Sequence, residues 1–182
     1  EPYRSKITKS DYRKLTFTDI QFVRKAGWII GLDGVILSTQ NKGKNWFIEK
    51  WGSFSFRDIY MINQKKGYLI ADNGFLFKTD DGGIKWKIVS LKNIRNHLKS
   101  IDFNKKFGVI AGSENTLLLS TDQGESWNKV NAEFPLNNEN FIDFNDVQLL
   151  GENQIWIAGD KGNIFFSPDM GKNWKRYQYT LH

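Results

Sequence analysis

The chain has 182 residues, 40% hydrophobic and 15% aromatic, which suffices for one domain with a buried core. It carries 26 Lys or Arg against 20 Asp or Glu, a formal charge of +6. With no Cys, only two His and no apolar run near eighteen residues, it offers no disulfide, no thiolate or His-rich metal site, no Ser-His-Asp triad and no membrane-spanning helix. The chain begins at Glu1 without a Met or a signal-like apolar stretch, which reads as a processed or trimmed product.

In chain order the apolar runs form four copies of one unit. The first copy has runs at 17–22, 27–31, 34–38 and 46–48, and the second at 56–61, 67–71, 74–78 and 86–89. The third has 98–103, 108–112 and 116–119, and the fourth 144–149, 154–159 and 162–166, each followed by its own Trp-led segment. These runs are rich in Ile, Val, Phe and Leu and are bounded by Gly, Asn and Asp, so they predict short strands joined by tight turns, and no helix.

Each copy closes on the same turn. Thr39, Asn41 and Gly43 precede Trp46, and Thr79, Asp81 and Gly83 precede Trp86. Likewise Ser120, Asp122 and Gly124 precede Trp127, and Ser167, Asp169 and Gly171 precede Trp174. The Trp residues are 40, 41 and 47 positions apart, the length of one four-stranded unit. A four-stranded meander repeated at that period is the blade of a β-propeller, whereas a parallel β-helix repeats at much shorter intervals. In such a turn an Asp side chain accepts backbone N–H groups two or three residues on, and the Gly tolerates positive φ. The Trp packs on the hairpin base with its indole N–H seeking a carbonyl. A constellation repeated four times does not make four active sites, and Asn41 supports the same turn without a charge. We read it as a structural staple.

The pattern Ser-x-Asp-x-Gly-x-x-Trp resembles the Asp-box, or bacterial-neuraminidase, repeat. The lead-in of Phe17-Thr18-Asp19-Ile20, Gly27-Trp28-Ile29-Ile30-Gly31 and Gly34-Val35-Ile36-Leu37-Ser38 is closer still to the photosystem II stability and assembly factor family. The resemblance covers residues 17–177. It implies an all-β propeller domain over 1–182, with repeats at about 16–50, 55–90, 97–130 and 143–179. It also implies an extracytoplasmic home (periplasm, thylakoid lumen or secreted), a protein or peptide client and no cofactor. Family members are typically rings of seven blades, and four repeats leave three accounts open: a fragment, a complete small ring, or two paired half-rings that make a homo-oligomer. Residues 1–15, with Tyr3 to Ile7 as the apolar-edged stretch, are a candidate closing or leftover strand.

Residues 1–110 hold 21 Lys or Arg and 10 Asp or Glu, a net of +11, whereas 111–182 hold 5 and 10, a net of −5. Candidate binding residues are Arg24, Lys25, Arg57, Lys65, Lys66, Arg95, Lys99, Lys105 and Lys106. They suit an acidic peptide or protein surface, or anionic lipid heads in peripheral membrane contact. Nucleic acid is disfavoured, because the cations do not cluster in one segment and no recognition motif occurs.

Six scattered Arg and no Arg-Ile-Pro or Arg-Leu-Pro signature argue against sialidase chemistry. Asp19, Asp58 and Asp146 recur at one first-strand position, with Ser100 as the uncharged counterpart, and such recurrence favours hydrogen bonding to a neighbouring loop over paired-carboxylate hydrolysis. The expectation is a non-enzymatic protein-binding scaffold, an assembly or stability factor for a membrane complex; the alternative is a carbohydrate-active module, either a degenerate glycosidase or a glycan binder. The insertion after Trp127 carries Phe134-Pro135-Leu136, either a contact point or a cap on a blade edge, and Trp51 is either an exposed aromatic or packing between blades.

Overall fold

The computed structural model describes residues 4–5, 12–136, 140–177 and 179. The chain divides into two compact units, Glu1–Arg95 and Asn96–His182, each with two antiparallel sheets. In the first unit, blade 1 contains β1 (Arg4–Ser5), β2 (Phe17–Val23), β3 (Ala26–Gly31), β4 (Val35–Thr39) and β5 (Phe47–Trp51) in the order β1-β5-β4-β3-β2. Blade 2 follows with β6 (Phe56–Met61), β7 (Gly67–Ala71), β8 (Leu76–Thr79) and β9 (Lys87–Val89). In the second unit, blade 3 is β10 (Leu98–Phe103), β11 (Gly108–Gly112), β12 (Thr116–Ser120) and β13 (Asn128–Lys129). Blade 4 is β14 (Phe144–Leu150), β15 (Gln154–Gly159), β16 (Asn163–Ser167) and β17 (Lys175–Arg176).

Among residues 1–15, Arg4 pairs with Trp51 and Ser5 with Lys50, so this strand extends the outer edge of blade 1. Tyr3, Lys6 and Ile7 lie outside the described residues. The second strands β7 and β11 are buried along their whole length, as an apolar run without alternation requires when both faces are covered. In blades 1, 2 and 4 the third strand starts later than its apolar run suggests. Gly34, Gly74 and Gly162 sit instead in short 3-10 turns, Leu32–Gly34, Asp72–Gly74 and Asp160–Gly162. Gly34 has φ +76°, and a Cβ there would meet the Trp51 carbonyl oxygen at 2.3 Å, so this corner admits only glycine. Fourth strands begin one residue after each Trp, because the indole belongs to the turn.

Every first strand carries a register shift at the same place, between Phe17 and Asp19, Phe56 and Asp58, Leu98 and Ser100, and Phe144 and Asp146. Such a bulge inserts one residue, here Thr18, Arg57, Lys99 or Asn145, and re-aims its side chain.

The core of the first unit includes Trp28, Ile30, Ile59, Leu69 and Phe77, and that of the second Val109, Leu117, Val147, Ile157 and Phe165. Phe134 packs inward, with its ring centroid 4.8 Å from Phe144, 5.5 Å from Phe165 and 4.8 Å from Trp174. The insertion therefore caps blade 4. Phe54 does the same in blade 2, at 5.0 Å from Phe77 and 4.8 Å from Phe75. Trp51 is 7% exposed and belongs to the first core, with its indole donating to Glu49 at 3.1 Å.

Candidate functional site

Antiparallel connectivity puts two turns at one end of each blade: the turn between its first and second strands, and the Trp-bearing turn. Backbone contacts join them. The Lys42 N–H donates to the Lys25 carbonyl at 2.9 Å, Gly82 to Lys65 at 2.8 Å, and Met170 to Asn153 at 2.9 Å. In blade 3 the Gln123 amide reaches the Lys105 carbonyl at 2.7 Å.

Inside the Trp-bearing turn, the buried hydroxyl seven residues before the Trp is the pivot. Ser120 donates to Asp122 Oδ1 at 2.7 Å and accepts the Gly124 N–H at 2.7 Å. Ser167 does the same with Asp169 and Gly171 at 2.9 and 2.8 Å, and Thr79 with Asp81 and Gly83 at 2.9 and 2.9 Å. Thr39 makes these contacts with Asn41 and Gly43 at 2.9 and 3.2 Å. The carboxylate reaches further than the two or three residues read from the sequence. It accepts the N–H four residues on, from Lys85, Ser126 and Asn173, and Asn41 accepts that of Asn45. The hydroxyl has already taken the glycine amide, and φ of +80° to +87° at Gly43, Gly83, Gly124 and Gly171 curls the next N–H groups back to the acid. Trp127 and Trp174 close their turns by donating to the Gly124 and Gly171 carbonyls at 3.1 Å. Trp46 meets Phe22 edge-on at 5.8 Å, and Trp86 is buried. Donors from Ser126, its hydroxyl and its N–H, hold Asp122 down to about 2, and donors from Asn173 likewise lower Asp169.

The candidate basic residues fall into two groups. Arg24-Lys25, Lys65-Lys66 and Lys105-Lys106 occupy the same place in blades 1, 2 and 3: the first hairpin turn, braced by the Trp-bearing turn. Five of the six are exposed and Lys66 is half-buried, its ammonium 5.9 Å from the Tyr68 ring centroid. Blade 4 has Gly151-Glu152-Asn153 at this place, and Lys106 stands 4.0 Å from Glu152. A shallow cavity of about 280 Å³ lies between these turns, lined by Asn104, Lys105, Lys106, Gly151 and Glu152.

Arg57, Arg95 and Lys99 sit at the other end. Arg57 donates to both carboxylate oxygens of Asp72, at 2.8 Å through Nε, which raises its pKa further. Lys99 contacts Asp143 Oδ2 and Asn145 Oδ1, each at 2.8 Å, and lowers the pKa of Asp143. Arg95 is exposed, and the chain at Ile94 and Arg95 packs on the Gly74 turn. The nine residues are thus not one patch, and two of the three at this end are already matched by carboxylates.

First-strand polar residues do work that the sequence reading placed in loops. Asp19 Oδ2 accepts the Ile59 N–H of the next strand-one backbone at 3.1 Å, and Gln21 accepts that of Met61. In the second unit Ser100 accepts the Val147 N–H at 3.3 Å and Asp102 that of Leu149 at 2.7 Å, while Ser100 donates to Asp146 at 2.7 Å. Burial, with Asp146 nearby, outweighs the amide donors and raises the Asp102 pKa. The alternation Asp19-x-Gln21 and Ser100-x-Asp102 was the available signal, since residues two apart on a strand share a face. Among the described residues no group of three or more His, Asp or Glu is placed to hold a metal.

Four sheets, each closed by the same hydroxyl, Asp or Asn, Gly and Trp turn, define an Asp-box β-propeller protein. The family model for the photosynthesis system II assembly factor YCF48 matches residues 48–141, just over half of the chain, and the chain belongs to that family. It is 31% identical over 123 residues to the photosystem II assembly lipoprotein Ycf48 of Synechococcus sp. (strain CC9902), covering 65% of this chain and 35% of that protein. It is 33% identical over 150 residues to the protein of that name from Prochlorococcus marinus (strain MIT 9312), covering 79% and 43%. The chain therefore spans less than half the length of these relatives. A solved structure titled YCF48 bound to D1 peptide shares the fold, with a TM-score of 0.71 at 14% identity over 92% of this chain and 54% of that one. These relatives are named as assembly factors, and in this chain Asp19 and Asp146 are engaged with strand backbone and Ser100.

Proposed function

We propose that this chain is a non-enzymatic scaffold of an extracytoplasmic assembly factor, holding an extended, acidic segment of a client protein at the Asp-box end of the two blades of residues 1–95. One observation carries the reading: a cation pair recurs in the same braced hairpin turn of three successive blades. The turns are fixed by the Asp-box hydrogen bonds before any client arrives, so little ordering entropy is lost on binding. The lysines and arginines of these turns steer an acidic partner, and the exposed N–H and C=O groups of an extended segment find polar partners at the rim. A relative solved with a bound peptide, and relatives named as lipoproteins, agree with a peptide client and an extracytoplasmic home. In such a mechanism no bond is made or broken.

The test is fluorescence anisotropy with acidic and charge-reversed peptides of equal length, beside a hydrolase screen on sialosides and glucans. The acidic peptide is expected to bind at low salt and to be lost by about 0.5 M salt, where screening leaves little attraction beyond a few ångströms. Equal binding of the reversed peptide, or turnover of any glycoside, would contradict the reading.

A further inference from the structure

Within residues 1–95, blades 1 and 2 meet at one junction, and each turns a row of side chains towards it. In blade 1 the row is Gln21, Trp28, Ser38 and Phe47, in register across β2, β3, β4 and β5. Two hydrogen bonds fix its direction: Gln21 accepts the Met61 N–H, and the buried Trp28 indole donates to the Gly82 carbonyl at 2.9 Å. In blade 2 the row is Ile59, Leu69, Phe77 and Ile88, across β6 to β9. Its first three members are buried in the core that also holds Trp28 and Trp51. The outer ends of both rows are open, with Phe47 68% exposed and Ile88 53%.

The scaffold does not require apolar groups there. Between blades 3 and 4 the corresponding rows are Asp102, Val109, Leu119 and Asn128, and Val147, Ile157, Phe165 and Arg176, so the same two outer ends are polar. Ile84 repeats the contrast: it is 61% exposed in the Trp-bearing turn of blade 2, where the other three turns carry Lys44, Glu125 and Lys172. Large apolar side chains held in the open by a rigid scaffold mark a contact surface. Its surroundings are cationic. Residues 39–51 and 79–92 hold Lys42, Lys44, Lys50, Lys85, Lys87 and Lys92 against three acids, each already engaged. Glu49 accepts the Trp51 indole, Asp80 stands 3.3 Å from Lys78, and Asp81 is held inside its turn by Thr79 and the Lys85 N–H.

We infer that the outer end of this junction takes an apolar anchor: an extended client segment sets one large aliphatic or aromatic side chain between Phe47 and Ile88, with acidic residues on either side to meet the lysines. The inference rests on the acidic-client reading above and names what that client must carry besides charge. Phe47 and Ile88 follow the Trp-bearing turns by one and two residues, so the anchor lies at the same end of the blades as Arg24-Lys25 and Lys65-Lys66. Acids then supply steering, and the buried side chain supplies the larger share of the affinity and the selectivity.

The test is fluorescence anisotropy with two labelled peptides of equal length and charge, acidic throughout except for a central Leu in one and a central Ser in the other. The Leu-centred peptide is expected to bind at least about tenfold more tightly. That ratio should hold between about 0.05 and 0.2 M salt while both affinities fall, because salt screens the acids and not the apolar contact. Phe47→Asn, the choice blade 3 makes at this position, and Ile88→Thr should each bring the ratio to within about threefold and leave the Ser-centred affinity within about twofold, whereas Phe47→Leu should keep the ratio. Both side chains are more than half exposed, so far-UV circular dichroism should not change; if it shows one variant unfolded, the other is read alone. Equal binding of the two peptides, or a preference that survives the substitutions, overturns the inference and leaves the acidic-client reading standing, while binding of neither peptide overturns both. Self-association at about 50 μM, or flotation with anionic vesicles, that Phe47→Asn abolishes would give this surface to a second copy or to lipid and overturn the inference as well.

Discussion

Residues 1–95 and 96–182 are built on one plan, two antiparallel meanders joined by first-strand hydrogen bonds, with β1 added at the edge of blade 1, yet they differ in what they expose. The first unit is cationic at the hairpin turns of both its blades, with Arg24-Lys25 and Lys65-Lys66, and one of its Asp-boxes has lost its charge at Asn41. The second keeps only Lys105-Lys106 against Glu152, and both its boxes retain titrating carboxylates, Asp122 and Asp169. What is shared is therefore scaffold, and what differs is surface. The linker aromatics belong to the shared part, since Phe54 and Phe134 fill the same place from linkers of different length.

The largest expected effect tests that equivalence. Phe54→Ala and Phe134→Ala should each cost about 3 kcal/mol, because each ring packs on three aromatic neighbours that cannot fully collapse. Urea midpoints followed by Trp fluorescence measure it, and a loss below about 1 kcal/mol for one but not the other would break the parallel between the units.

Next comes the pivot of the turn. Ser120→Ala leaves the buried Gly124 N–H without its acceptor and should cost about 1–3 kcal/mol. Asp122→Asn should cost less at neutral pH, since Asn41 holds the same Thr39 and Asn45 contacts in blade 1. If the two substitutions cost the same, the hydroxyl is not the pivot.

A smaller effect distinguishes the boxes by pH. The Asp122 pKa is depressed to about 2 in the folded chain, below the unfolded value of about 3.9, so its stabilisation is present above about pH 4 and is lost as pH falls through about 2. Asp102 has the opposite sign: with a raised folded pKa, its contribution is full below the unfolded pKa and lost as pH rises through the folded one. Thermal melts of wild type and Asp122→Asn between pH 2 and 5 should therefore diverge, the variant losing less on acidification. Asn41→Asp should add acid sensitivity to blade 1, and melts that stay parallel would contradict both statements.

Strand order, blade count and the position of each turn were legible in the sequence because apolar runs, Gly and the Trp spacing each report one local constraint. The four-residue reach of Asp122 was not, since it depends on the Ser120 hydroxyl having already taken the Gly124 amide. Nor was the division of the basic residues. Arg57 and Lys99 stand at the starts of their first strands, re-aimed by a one-residue bulge that composition does not record, and their partners Asp72 and Asp143 lie 15 and 44 positions away. Phe134-Pro135-Leu136 looked equally suited to contact or cap, and only ring distances to Phe144 and Phe165 decide for the cap.

The claim that binding resides in the shared hairpin position, and not in net charge, is tested most directly by hydrogen exchange with and without an acidic extended peptide. Protection is expected at residues 23–26 and 63–66, and Lys65→Glu with Lys66→Glu should weaken binding about tenfold or more while Arg57→Ala leaves it within twofold. Protection centred instead on 72–74 and 95–99, with Arg57→Ala as the damaging change, would contradict the account.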